Sequence, residues 1–187
     1  MKKILITENQ FKSLIDESTI KPIIAYHGTN NKIDKFVTDF VGGQNAMDQE
    51  GPGIYFTTKE DDAYQYGNYV HKVLLKPRKL LSDKTKRGIT VNDIVKLIKM
   101  NKNWQMNAMD WDENPMVGLK LSINAILDEV NAKDIITQIY IEYYRNEPID
   151  YVNNATKIGV DGIIVQKEWG ANHIIVYNPN IIETIND

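Results

Sequence analysis

At 187 residues the chain is long enough for one domain with a sizeable core, plus a small appendage. Charged residues are 25% and hydrophobic residues 42%, which excludes a disordered chain, and a net charge of −3 argues against bulk electrostatic binding of nucleic acid. The absence of cysteine excludes disulfides, thiol catalysis and sulfur-ligated metals, and fits a reducing cytosol.

Met1 to Ile6 begins as a signal peptide would, but Glu8-Asn9-Gln10 breaks its short apolar stretch, so no export is expected. No apolar run approaches the roughly 18 residues needed to span a bilayer. Thr7-Glu8-Asn9-Gln10 has a capping-box pattern and predicts a helix through about Ser18, with Phe11, Leu14 and Ile15 on one face. Residues 1–20 are thus an N-terminal helical appendage, and 21–187 the main domain. Lys21-Pro22 breaks the chain before the first strand, Ile23-Ile24-Ala25-Tyr26, which is expected to end on His27 and Gly28. A glycine there lets another group approach the backbone closely. Residues 30–52 read as a long loop anchored by Phe36, Val37 and Phe40, able to lie over a ligand. Gly51-Pro52-Gly53 opens a strand over 53–57 that carries Tyr55, and a short helix over about 59–66 carries Ala63, Tyr64 and Tyr66. A strand over 68–76 follows, rich in Val and Leu. A histidine, a bare backbone and two tyrosines on one cleft suit a flat aromatic amide attached to a ribose.

Residues 76–87 hold six basic side chains against Asp83 alone and read as a solvated loop. From 84 to 157 the pattern turns helical, with Val91, Ile94, Val95 and Ile98, then Leu119, Ile123, Ile126 and Leu127, then Ile135, Ile139, Ile141 and Tyr143. Trp104 and Trp111 lie in a polar, Met-containing segment and read as packing residues. This block is expected as an insertion between two sheet halves. There is no Walker loop, no dinucleotide-binding glycine motif and no metal-ligand spacing among the three histidines.

Four segments in order, Tyr26-His27-Gly28-Thr29, Gly51-Pro52-Gly53-Ile54-Tyr55-Phe56-Thr57, Ala63 with Tyr66, and the pair 159–165 and 174–182, resemble the ADP-ribosyltransferase superfamily on its diphtheria-toxin and poly(ADP-ribose) polymerase side. The resemblance is to such domains in phages and mobile elements, and covers a little under half the chain. It implies an α+β fold, with a split, mostly antiparallel two-sheet core and a helical insertion. It implies NAD as substrate with no metal. The His27 imidazole would hold a ribose hydroxyl, and Thr29 would complete the motif. The Gly28 backbone would pair with the nicotinamide carboxamide. Tyr55 and Tyr66 would stack on the ring, with Tyr64 the alternative to Tyr66. Ala63 replaces a serine that would bond the amide.

The family's glutamate at the start of the last long strand is missing. Counting back from Asn178-Pro179, its place falls on His173, with Asn172 before it, and the nearest carboxylate in sequence is Glu168. Cleavage of a glycosidic bond passes through an oxocarbenium-like state that a carboxylate stabilises. The sequence alone therefore predicts that His173→Glu raises the rate by about 10²-fold, unless Glu168 has taken the role. The expected function is mono-ADP-ribosylation of a macromolecular acceptor, a protein rather than nucleic acid or membrane, in the host cytosol if the chain is phage-encoded. The alternative is a non-catalytic, virion-associated or binding protein.

Overall fold

The computed structural model describes residues 20–42, 50–84, 88–168 and 170–185. The helix expected within the N-terminal appendage lies outside them. Ile23–Thr29 forms β1 and continues through His27, Gly28 and Thr29 instead of ending at the histidine. The cause is long-range. β3 (Tyr69–Leu75) pairs antiparallel with the whole of β1, from Ile23↔Leu75 to Thr29↔Tyr69. Between them lie β2 (Ile54–Thr57), the one-turn helix α1 (Glu60–Ala63) and a 3₁₀ turn over Tyr64–Tyr66. The remaining strands are β4 (Leu80–Ser82), β5 (Gly162–Gln166), β6 (Asn172–Val176) and β7 (Ile182–Thr184).

Hydrogen bonding joins the seven strands of the described residues in one sheet of order β4-β5-β6-β2-β1-β3-β7, not in the two sheets the sequence reading expects. The thinnest place is between β2 and β1, which share one register pair, Tyr26↔Thr57, whereas β2 and β6 pair from Ile54↔Val176 to Thr57↔His173. The sheet is continuous but nearly parted along this seam.

The helical block, expected as an insertion between sheet halves, runs from β4 to β5. β4 and β5 are adjacent and parallel, from Leu80↔Gly162 to Ser82↔Ile164. Parallel neighbours need a crossover, and the helices supply it. α2 (Val91–Met100) starts at a capping box between Thr90 and Asp93 and buries Ile94, Leu97 and Ile98. α3 (Trp104–Ala108) follows, then α4 (Pro115–Leu127), whose first turn is capped by Asn114. α5 (Ala132–Ile139) runs into a π-helical segment, Tyr140–Tyr144. The wider turn moves the buried face by one position, so Tyr143 and Tyr144 are inside while Ile141 is 42% exposed. α6 (Pro148–Lys157) ends at Gly159, whose φ of +85° suits glycine. There Val160 N–H donates to Ala155 O and Gly159 N–H to Thr156 O, which turns the chain into β5.

The inner faces of these helices bury Ile98, Ile126, Ile136, Ile139 and Val152 in one cluster with Leu75, Ile163, Ile174 and Val176 of the sheet. Tyr144, Tyr151 and Tyr177 stack edge-on with centroids 5.5 Å apart. Their burial is compatible with their hydroxyls because Tyr144 donates to Leu97 O at 2.6 Å and Tyr151 to Ile136 O at 2.8 Å. Trp104 is partly buried beneath Lys99, 5.6 Å from its ring centroid. Trp111 donates to Glu142 at 3.3 Å.

Candidate functional site

The site forms where β2 and β1 part. Directly opposed residues of antiparallel strands share a face, and side chains alternate along each strand. Tyr26, Thr57 and His173 lie in one row across β1, β2 and β6. Gly28 and Tyr55, two residues from members of that row, therefore share its face, and His27 belongs to the other. So the sequence-predicted set is brought together at the seam but not on one face.

His27 bridges the parting strands. Its Nδ1 lies 2.7 Å from the carbonyl oxygen of Tyr55, so Nδ1 carries the proton and donates. Burial pushes the His27 pKa below its ordinary value, with nearby His71 adding to the effect and the Tyr55 bond opposing it. A neutral ring with its proton on Nδ1 leaves Nε2 as an acceptor, able to receive a hydroxyl proton. The imidazole packs against Phe36 and Phe56, with centroids 5.3 and 5.5 Å away. Phe36, Val37 and Val41 form one wall of a cavity of about 240 Å³ that His27, Gly53 and Tyr55 also line. Residues 33–41 thus cover the His27 side of the seam, whereas Glu50, later in the same segment, reaches His173 on the other face.

On the opposite face, α1 sits on β1. A Cβ on Gly28 would meet Ala63 O at 1.8 Å and Tyr66 Cβ at 3.2 Å. The glycine is needed there for helix docking, which leaves only its in-plane backbone groups for a ligand. Ala63 is fully buried and its methyl faces no open site. Tyr66 is 56% exposed and its ring stands edge-on to His173 with centroids 6.4 Å apart. Tyr64 is equally exposed. The Tyr55 hydroxyl donates to Gly51 O at 2.6 Å, which ties the strand to the loop before it. Thr29 accepts from Asn31 N–H through Oγ1 and shapes the turn after β1.

His173 occupies the start of β6, beside Asn172, as counted from Asn178-Pro179. Its surroundings escaped sequence reasoning. Nε2 lies 3.2 Å from Asp62 Oδ2, and Nδ1 lies 3.5 Å from Glu50 Oε2. Lys167 pairs with the other oxygen of Glu50. Burial and then Lys167 push the His173 pKa down, against an opposing pull from Asp62. Nothing in the run Glu60-Asp61-Asp62 marks which acid turns inward, and Glu50 lies in a segment read only as a loop. Glu168 is exposed in the turn between β5 and β6, beyond the register pair Gln166↔Asn172, while His173 pairs with Val165.

Among the described residues no group of three or more His, Asp or Glu could hold a metal ion, and no helix is long and apolar enough to cross a membrane. Of the six basic residues in 76–87, Lys76 pairs with Glu183 and Arg78 with Asp161.

No curated protein matches the sequence. Among solved structures, one described as the crystal structure of an anti-CRISPR protein is similar at 12% identity and a TM-score of 0.43, over 88% of this chain and 96% of that one. Residues 16–187 match the family described as ADP-ribosyltransferase in polyvalent proteins. That match spans the seam, α1, the helical crossover and the closing strands together, and on it the chain belongs to the ADP-ribosyltransferase family of polyvalent proteins.

Proposed function

We propose that the protein cleaves the nicotinamide–ribose bond of NAD and transfers one ADP-ribose to a macromolecular acceptor, a host protein if the chain is phage-encoded. Family membership supports transferase chemistry. The observation that carries the finer reading is the seam itself, where His27 is locked to Tyr55 O across two parting strands, 2.7 Å apart. A neutral imidazole so fixed presents Nε2 to a ribose hydroxyl. The half-exposed Tyr66 ring gives nicotinamide a flat face, and the in-plane groups of Gly28 match an amide's donor and acceptor. Bond cleavage sends the electron pair to nicotinamide and leaves positive charge on the sugar, which the acceptor's nucleophile then quenches.

The decisive experiment is incubation with labelled NAD and cell lysate, read by gel and mass spectrometry. Label on a protein band is the expected result. Millimolar NAD should also raise the melting temperature by linkage, and Tyr66→Ala should remove most of that shift. A wild type with neither shift nor label refutes the reading. A second reading, a non-catalytic domain that keeps the pocket for binding, is favoured by the histidine at the strand-start position. It is supported if NAD raises the melting temperature and no nicotinamide is released.

A further inference from the structure

We infer that Glu50, in the segment before β2, is the catalytic carboxylate of this protein, delivered to the place of the missing strand-start glutamate; the inference rests on the ADP-ribosyl-transfer reading above. Only 9% of the Glu50 side chain is exposed. Its two oxygens are treated differently. Oε1 is paired with Lys167, whereas Oε2 is buried without a hydrogen-bond partner among the described residues. A buried carboxylate oxygen left unmatched is costly, and native proteins keep few of them.

His173 does not supply the missing donor. Its Nδ1 is 3.5 Å from Oε2, and its Nε2 is 3.2 Å from Asp62 Oδ2. The Nδ1 approach does not make a hydrogen bond to Oε2, whereas the Nε2 contact with Asp62 is one. The oxygen therefore stands ready to accept a hydroxyl from outside the protein, within 3.5 Å of the side chain at the strand-start position. Tyr66, the half-exposed ring of the site, stands over that same side chain. The carboxylate has moved in sequence but not in space.

Its role follows from charge. The C1′–N bond to nicotinamide breaks with both electrons leaving on nicotinamide, and positive charge spreads over C1′ and the ring oxygen. Glu50 Oε2 accepts a ribose hydroxyl and stabilises that charge, with Lys167 fixing Oε1 and His173 acting as a positioning residue. The acceptor X–H adds to C1′ and loses its proton to solvent. NAD⁺ and X–H thus give ADP-ribosyl-X, nicotinamide and H⁺.

The test is single-turnover nicotinamide release by wild type, Glu50→Gln, Glu50→Asp and Glu168→Ala, with NAD binding measured separately by calorimetry. Glu50→Gln should lose about 10²–10³-fold in rate while binding NAD within a few-fold of wild type. Glu50→Asp keeps the charge, guards against misfolding and should lose less. Release by Glu50→Gln at the wild-type rate, or loss in Glu168→Ala instead, overturns the inference and leaves the transfer reading standing. A wild type that releases no nicotinamide refutes both.

Discussion

Gly28→Ala separates two reasons for a glycine after His27. On sequence grounds the bare backbone exists for a ligand, and an added methyl would cost only binding. In the structure the methyl would lie 1.8 Å from Ala63 O and 2.8 Å from Ala63 C, both backbone atoms. Real Cβ contacts essentially never fall below 3.0 Å, so α1 must retreat by about 1.2 Å or β1 must bend. Overpacking of that kind typically costs about 1–3 kcal/mol, and the backbone clash places this case near the upper end. For a chain of this length about 2–3 kcal/mol lowers the melting temperature by about 4–12 °C. The same retreat carries Asp62 and Tyr66 away from His173, and a displacement near 1 Å at a reacting site costs about 10² in rate. Differential scanning fluorimetry without NAD, paired with nicotinamide release, reads both effects. A variant that melts with wild type in the absence of NAD, and loses only NAD binding, would show that α1 does not depend on this contact.

With Asp62 and Glu50 beside His173, His173→Glu would add a third carboxylate and should lower the melting temperature and leave the rate no higher, and a faster enzyme would refute this. His27 and His173 both have folded pKa values below their ordinary 6.5, so the unfolded chain binds protons that the folded chain resists. Stability from these groups is full above about pH 6.5 and is lost as pH falls towards the folded values. Urea unfolding at pH 7.5 and 5.5 should show that loss, and His27→Asn, which keeps a donor for Tyr55 O, should show less of it. Asp161 is fully buried and accepts from Arg78 N–H, Lys79 N–H and Asn178 Nδ2; burial alone would raise its pKa, and these bonds hold it low. Asp161→Ala should therefore cost about 3–4 kcal/mol in urea denaturation, and a cost under about 1 kcal/mol would remove it as the fastening point of β4 to β5.

The strands bearing His27 and Tyr55 were legible because each is a local pattern, a β-branched run and a Gly-Pro-Gly opening, and the strand through Ile174 was legible by its resemblance to the family's closing strands. The helical character of 91–157 was legible for the same reason, through spacing alone. Its place was not. Nothing local says that β4 and β5 will lie side by side, and once they do in parallel the block becomes a crossover and half of the core. The single continuous sheet with its thin seam is likewise a matter of register between distant segments. The surroundings of His173 show the limit most plainly. Asp62 lies 111 positions away in sequence, and Glu50 and Lys167, which pair beside it, are 117 positions apart. Charged side chains carry no periodic signal that marks a partner at that separation. Asp62 has the same chemistry as Asp61, and only the docking of α1 on Gly28 turns one inward and leaves the other in water, because burial of a charge depends on which groups the fold brings to meet it.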